Sequence, residues 1–248
     1  MKEWFEQAFG ADYAHVYAHR DSQEAQLAIR QILSHLTLRP GDRVLDAPCG
    51  FGRHARILAQ HYHTTGLDLS SHLLGLAIKI DTAANSDPTK VPHYVQGDLR
   101  ELPFGAARFQ LVVNLFTSIG YFATEEENCH AIRELARVCM PGGWVVIDYL
   151  NAQQVIEGER ERTLDDNRTA HESVRIVGLP PRIEKRVVIS GSEGDQSYRE
   201  SVRLYSEEDL DSILESCHLQ PIHKFGDYRE SPFDSQTSSR LFIIALKK

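Results

Sequence analysis

Apolar positions alternate along most of the chain between short continuous runs and repeats of three to four residues. The runs Val44-Leu45-Asp46, Thr65-Gly66-Leu67-Asp68, Tyr94-Val95-Gln96-Gly97 and Trp144-Val145-Val146-Ile147-Asp148-Tyr149 predict strands. Phe109-Gln110-Leu111-Val112-Val113-Asn114-Leu115 is apolar almost throughout, as a central parallel strand buried on both faces should be. Helices are predicted in between. One starts after Gly52 and runs through Ile57 and Leu58; one carries Leu73, Leu74, Leu76 and Ala77 behind a Ser70 cap. A third carries Ala131, Ile132, Leu135, Val138 and Cys139 behind the capping box Thr124-Glu125-Glu126-Glu127, and Pro141-Gly142-Gly143 stops it.

The two ends of the chain read differently. Residues 1–36 are predicted largely helical, with Trp4, Phe5, Ala8 and Phe9 on one face and Leu27, Ile29, Ile32, Leu33 and Leu36 on a second. In residues 151–205, Arg182–Ile189 and Tyr198–Tyr205 read as antiparallel strands joined by the turn Gly191–Asp195, and the many arginines there as a solvated face. Ser206 begins a last helix with Leu210, Ile213, Leu214 and Cys217 inward.

Candidate chemistry concentrates where the first strand meets its helix, Asp46-Ala47-Pro48-Cys49-Gly50-Phe51-Gly52-Arg53-His54-Ala55. A strand feeding a helix through a glycine turn presents backbone N–H groups and a positive helix end to a ligand. Gly50, Gly52 and Ala55 satisfy the G-x-G-x-x-G/A spacing of dinucleotide sites. Asp46 changes the choice, because a carboxylate there opposes a pyrophosphate and suits a ligand with an ammonium or sulfonium centre. S-adenosylmethionine has both centres and no phosphate.

In order, DAPCGFGRHA, GLDLS, GDLRELPF, VVNLFTSIGYF and LARVCMPGGWVVIDYL resemble the successive motifs of the class I S-adenosylmethionine-dependent methyltransferases, in the branch acting mostly on small molecules. The resemblance implies an α/β, Rossmann-like, doubly wound sheet of seven mostly parallel strands, with 218–225 and 240–245 as its closing strands, one of them antiparallel. It divides the chain into a helical lid segment (1–36), a cofactor-binding core (37–150), a small antiparallel insertion (151–205) and a C-terminal helix with closing strands (206–248). The implied cofactor, S-adenosyl-L-methionine, would meet Asp46, Ala47, Pro48, Gly50 and Gly52 at the turn. Asp68 and Leu69 would face the ribose, Asp98 and Leu99 the adenine, with Asn114 and Leu115 at the central strand's end and Tyr13, Tyr17 and Arg20 on the lid. The family usually has glycine where Pro48 stands, and proline removes one N–H donor. Asp68 also fits an acid at a helix N-terminus, and Gly97-Asp98 also fits a surface turn. Phe116, Tyr121 and Phe122 fit either the core or an apolar substrate pocket.

The reaction implied is methyl transfer to an O or N atom of a small molecule. An amine acceptor can do without a base, whereas an alcohol or phenol calls for one, with His15, His19 and Tyr121 as candidates. His15 and His19 are spaced i, i+4, but no third ligand accompanies them, so no metal is expected. In the connector 226–234, Tyr228 and Phe233 are further candidates for ligand contact. Two other readings stay open: an NAD-dependent oxidoreductase, which leaves Asp46 and Asp98 unexplained, and a non-catalytic cofactor-binding module.

Composition narrows the partners. A net charge of −8 disfavours nucleic acid, and no apolar run is long enough for a membrane span. The N-terminus lacks the layout of a signal peptide, so a cytoplasmic monomer or homodimer is expected. The four cysteines, Cys49, Cys129, Cys139 and Cys217, form no C-x-x-C pair and are expected to be reduced and mostly buried.

Overall fold

The structure, a computed structural model, describes residues 22–84, 87–165, 168–191 and 194–248. Expectations for Trp4 to Phe9, Tyr13, His15, Tyr17, His19 and Arg20 lie outside the described residues. In chain order the core elements are α1 (Ser22–His35), β1 (Arg43–Asp46), α2 (Arg53–Leu58), β2 (His63–Asp68), α3 (Ser71–Ala83), β3 (His93–Gln96), β4 (Phe109–Asn114), α4 (Glu125–Val138) and β5 (Cys139–Leu150). An inserted sheet follows, β6 (Gly158–Asp165), β7 (Arg168–Val177), β8 (Arg182–Gly191) and β9 (Gln196–Arg203), then α5 (Glu207–Ser216), β10 (Leu219–Phe225) and β11 (Arg240–Lys247).

The main sheet has the order β10-β11-β5-β4-β1-β2-β3. β1, β2, β3, β4 and β5 pair in parallel, while β11 runs antiparallel to both β5 and β10. Side chains on a strand alternate between faces, and here each face is covered. Leu45 and Val112 join Ala131, Ile132, Leu135, Leu210 and Leu214 in one core, on the side of α4 and α5. Val44, Leu111 and Val113 join Ile29, Ile32 and Leu58 in the other, on the side of α1 and α2. This two-sided demand for apolar residues is why β4 reads as a nearly unbroken apolar run. Strand order reverses between β1 and β4, and in such sheets ligands bind at that switch point, beyond the carboxyl ends of the strands.

Local signals act as their chemistry requires. Ser70 accepts from Leu73 N at the start of α3, and Thr124 with Glu127 forms a reciprocal capping box at α4. Ser206 with Asp209 does the same at α5. The sequence places the strand after α4 at Trp144, beyond the Pro-Gly-Gly turn; the structure starts it at Cys139, which pairs with Phe109 before a register shift. The insertion is larger than its two predicted strands. It is a four-stranded antiparallel sheet with a small core of Ala170, Val187 and Ile189. All four cysteines are free, and Cys49, Cys139 and Cys217 are buried. Among the described residues, no helix is long and apolar enough to cross a membrane.

Candidate functional site

A cavity of about 1120 Å³, counting the space open at its mouth, lies over the carboxyl ends of β1 and β2 and the segments that follow β3 and β4. Its walls come from the glycine turn (Pro48, Gly50), the end of β2 (Asp68, Leu69), the segment after β3 (Asp98, Leu99) and the loop after β4 (Leu115, Phe116, Ser118, Tyr121, Phe122). Seven residues expected at a cofactor therefore line one cavity: Pro48, Gly50, Asp68, Leu69, Asp98, Leu99 and Leu115. Asp46, Ala47, Gly52 and Asn114 do not line it.

The turn is fixed by hydrogen bonds to neighbouring strand ends. Ala47 N donates to Val113 O (2.9 Å) and Cys49 N to Leu67 O (2.7 Å). Asn114 Nδ2 donates to Ala47 O (2.8 Å), so Asn114 braces the root of the turn from behind. Gly50 and Gly52 both have positive φ, 55° and 80°. At Gly50 a Cβ would meet nothing within 4 Å, which leaves the backbone approachable; at Gly52 it would run into the Tyr94 hydroxyl.

Asp68 divides its two oxygens between the glycine turn and the start of α3. Its Oδ2 accepts from Gly50 N (2.8 Å) and its Oδ1 from Ser70 N (2.8 Å). Each oxygen keeps a further lone pair, so the carboxylate can both hold the loop and accept from a diol. Burial pushes its pKa up to about 6, against the pull of the Ser70, Gly50 and Leu69 N–H groups. Asp98 is solvated enough to stay ionised. Burial alone would raise its pKa, but the bidentate Arg100 guanidinium (Nη2 to Oδ2, 2.7 Å; Nε to Oδ1, 3.1 Å) and Arg100 N hold it below the ordinary value. Arg100 also reaches Glu127 (2.7 Å), and its guanidinium carbon lies 4.6 Å from the centre of the Phe122 ring.

Asp46 sits differently from the position its sequence suggests. It is fully buried, and neither carboxylate oxygen accepts a hydrogen bond of ordinary geometry among the described residues. Desolvation pushes its pKa up to about 8 and Asp68 adds to this, while the Ala55 backbone and Arg53 pull the other way. A group titrating there is mostly protonated at pH 7, so Asp46 does not present a negative charge to the cavity in this state.

The loop after β4 carries unusual backbone. Phe116 and Thr117 have φ of 73° and 53°, a region that costs a non-glycine residue roughly 1–3 kcal/mol. Asp148, at the carboxyl half of β5, offsets this: its Oδ2 accepts from Phe116 N (2.9 Å) and its carbonyl from Thr117 N (2.8 Å). The same buried carboxylate receives Arg240 Nε (2.5 Å) and the Tyr228 hydroxyl (2.6 Å). The guanidinium carbons of Arg53 and Arg240 lie 5.5 and 5.3 Å from the centre of the Phe116 ring. Tyr228 thus braces the wall rather than lining it, and Phe233 packs against the main core.

Sequence reasoning missed part of this. Arg53 and His54 line the cavity, and burial, with Arg53 and Arg240 nearby, lowers the His54 pKa to about 3, so its imidazole is neutral. Their signal was their place in the first helical turn after the glycines. Asp148 had the same signal as Asp68, an acid near the end of an apolar strand. Tyr121, a candidate base, does line the cavity; the other two candidates, His15 and His19, lie outside the described residues.

Comparison with known proteins agrees with this architecture. Residues 44–143 match a family model described as a methyltransferase domain. Over 174 residues the chain is 32% identical to a dTDP-3-amino-3,6-dideoxy-alpha-D-glucopyranose N,N-dimethyltransferase of Streptomyces fradiae, covering 65% of this chain and 62% of that protein. A malonyl-[acyl-carrier protein] O-methyltransferase of Erwinia billingiae is 33% identical over 159 residues, 63% of this chain and 57% of that protein. The chain thus spans less than two thirds of the length of either relative. An S-adenosylmethionine-dependent methyltransferase from Clostridium acetobutylicum superposes with a TM-score of 0.79 at 17% identity, over 95% of this chain and 97% of that one. A SAM-bound amino pentose methyltransferase from Micromonospora echinaspora gives 0.67 at 21% identity, over 96% and 98%. At such identities the likeness is one of fold.

Proposed function

We propose, from the match of residues 44–143 to a methyltransferase-domain model, that the chain is an S-adenosyl-L-methionine-dependent methyltransferase acting on an O or N atom of a small molecule. The observation that carries this reading is the convergence of Asp68, Asp98 and the open face of Gly50 on one cavity that Leu115, Phe116, Tyr121 and Phe122 also line. A carboxylate at Asp68 accepts from a ribose diol in either cofactor, so the discriminating group is Asp98, whose charge suits an exocyclic amine and opposes a phosphate. That combination favours an adenosine ligand without phosphate over a dinucleotide.

The residues present fit the cofactor. Asp68 would take the ribose, Asp98 and Leu99 the adenine, and the Gly50 backbone would allow close approach. The cofactor supplies a methyl group on a sulfonium leaving group, so the chain's own task is alignment and exclusion of water. Leu115, Phe116, Tyr121 and Phe122 form the apolar surface for that exclusion. His54, held neutral, offers a lone pair or an N–H for orienting an acceptor, and Tyr121 offers a hydroxyl. The sugar N,N-dimethyltransferase and malonyl-carrier O-methyltransferase relatives make amines and carboxylates the first acceptors to try.

Calorimetric titration of the ligand-free chain tests the reading. S-adenosylhomocysteine is expected to bind with a Kd of about 1–100 μM, or 5–8 kcal/mol, and NAD to give no heat of binding. Tight NAD binding with no response to S-adenosylhomocysteine would instead establish the oxidoreductase.

A further inference from the structure

The arginines of the inserted sheet are not all a solvated face. Arg182, the first residue of β8, is half-buried and turns its guanidinium to the back of the loop that walls the cavity. Its Nη1 donates to Phe122 O (3.0 Å), and its Nη2 to Gly120 O (3.0 Å) and Tyr121 O (3.4 Å). Its Nε and Nη2 also hold Ser201 Oγ and O, both at 2.9 Å, on the neighbouring strand β9. One planar fork therefore ties three consecutive carbonyls of the core to two strands of the insertion. A lysine ammonium, a single point on a flexible stem, cannot match that pattern.

Further contacts join the same two bodies. Arg203 N donates to Gly120 O (2.8 Å), Arg203 Nε to Glu125 Oε1 (2.7 Å) and the Tyr205 hydroxyl to Glu125 Oε2 (2.8 Å). Gly120, at φ 93°, is packed so closely that a Cβ would sit 3.0 Å from Arg203 O and 3.2 Å from the Tyr149 hydroxyl. On the other side of this loop, Tyr121 and Phe122 face the cavity.

We infer that Arg182 is a positioning residue through which the inserted sheet sets the placement of Tyr121 and Phe122, and with it the shape of the acceptor half of the cavity. The inference rests on the methyl-transfer reading for the word acceptor. It assigns to the insertion a role in substrate selection, because the turn, Asp68 and Asp98 make none of these contacts and, among the described residues, Asp98 meets the loop only through Arg100, whose guanidinium carbon lies 4.6 Å from the centre of the Phe122 ring.

The test uses the full chain, and binding of S-adenosylhomocysteine by the wild type is measured first; its absence refutes the methyl-transfer reading, a result distinct from those that follow. In Arg182→Met, hydrogen–deuterium exchange of peptides spanning 118–124 is expected to accelerate about tenfold or more, while peptides of β1 and β4 and the S-adenosylhomocysteine Kd stay within about threefold of wild type. With whichever amine or carboxylate acceptor the wild type turns over fastest, the acceptor KM should rise about fivefold or more with the S-adenosylmethionine KM nearly unchanged, a split that general loosening of the fold does not produce. If Arg182→Met does not fold, Arg182→Lys carries the same test in the same direction, since it keeps the charge and loses the fork. Unchanged exchange over 118–124, or equal losses in acceptor and cofactor binding, would overturn the inference.

Discussion

Asp46→Asn isolates the most unusual group at the root of the site. The substitution keeps the shape of the side chain and removes its ionisation. Because burial raises the folded-state pKa from an ordinary 3.8 to about 8, the folded chain binds this proton more tightly than the unfolded chain. Between those two values the native state holds more protons than the unfolded state, so the Asp46 contribution lowers stability as pH rises. Below about pH 4 the contribution vanishes, and above about pH 8 it is constant. Each pH unit inside the window corresponds to about 1.4 kcal/mol at most. From pH 5 to pH 8 the wild type should therefore lose up to about 4 kcal/mol that Asp46→Asn does not lose, with relaxation around the ionised group reducing the figure. At pH 5 the variant is expected to be the less stable by about 1–3 kcal/mol, because the amide brings donors into a site without partners. Urea unfolding of both proteins at pH 5, 6, 7, 8 and 9, with thiols kept reduced, gives the difference directly. A stability difference that does not change with pH would mean that Asp46 ionises near 3.8, and the buried, neutral placement would be refuted.

Three further outcomes follow from the same geometry. Asp68→Asn should weaken S-adenosylhomocysteine binding by roughly 1.5–3 kcal/mol in calorimetry, because a charged acceptor is lost and an amide N–H is turned toward a donor; unchanged affinity would remove Asp68 from the ligand. Gly52→Ala should lower unfolding free energy by about 1–3 kcal/mol in urea titration, since a Cβ at φ 80° runs into the Tyr94 hydroxyl. Arg240→Met leaves the buried Asp148 carboxylate without its cation and should cost about 3–5 kcal/mol in the same assay, whereas Arg240→Met combined with Asp148→Asn should recover part of that loss.

The core was legible because its signals are local and redundant. Ser70, Thr124 and Ser206 cap helices whatever lies around them, and the apolar run of β4 follows from burial on both faces. Asp68 and Asp98 could be placed because each sits just where a strand runs out. Asp46 could not, since an acid at a strand end reads the same whether it faces the ligand or the back of the turn; only the packing of the turn against Val113 and Leu67 decides that. Arg182 was illegible for another reason. In an antiparallel strand an arginine reads as solvated, and its partners are backbone carbonyls about 60 residues away, which carry no side-chain signature. The left-handed backbone at Phe116 and Thr117 was hidden likewise, because the groups that offset it, Asp148, Tyr228 and Arg240, come from distant strands and a connector.

The central claim is that three neighbouring segments of the main sheet, after β1, β2 and β3, together hold one adenosine. A crystal structure of the chain soaked with S-adenosylhomocysteine addresses it in a single measurement. The expected density places both ribose hydroxyls on Asp68, the adenine beside Asp98 and Leu99, and the sulfur facing the wall of Leu115, Phe116 and Tyr121. Density for the ligand elsewhere, or a ribose with no contact to Asp68, would contradict the account.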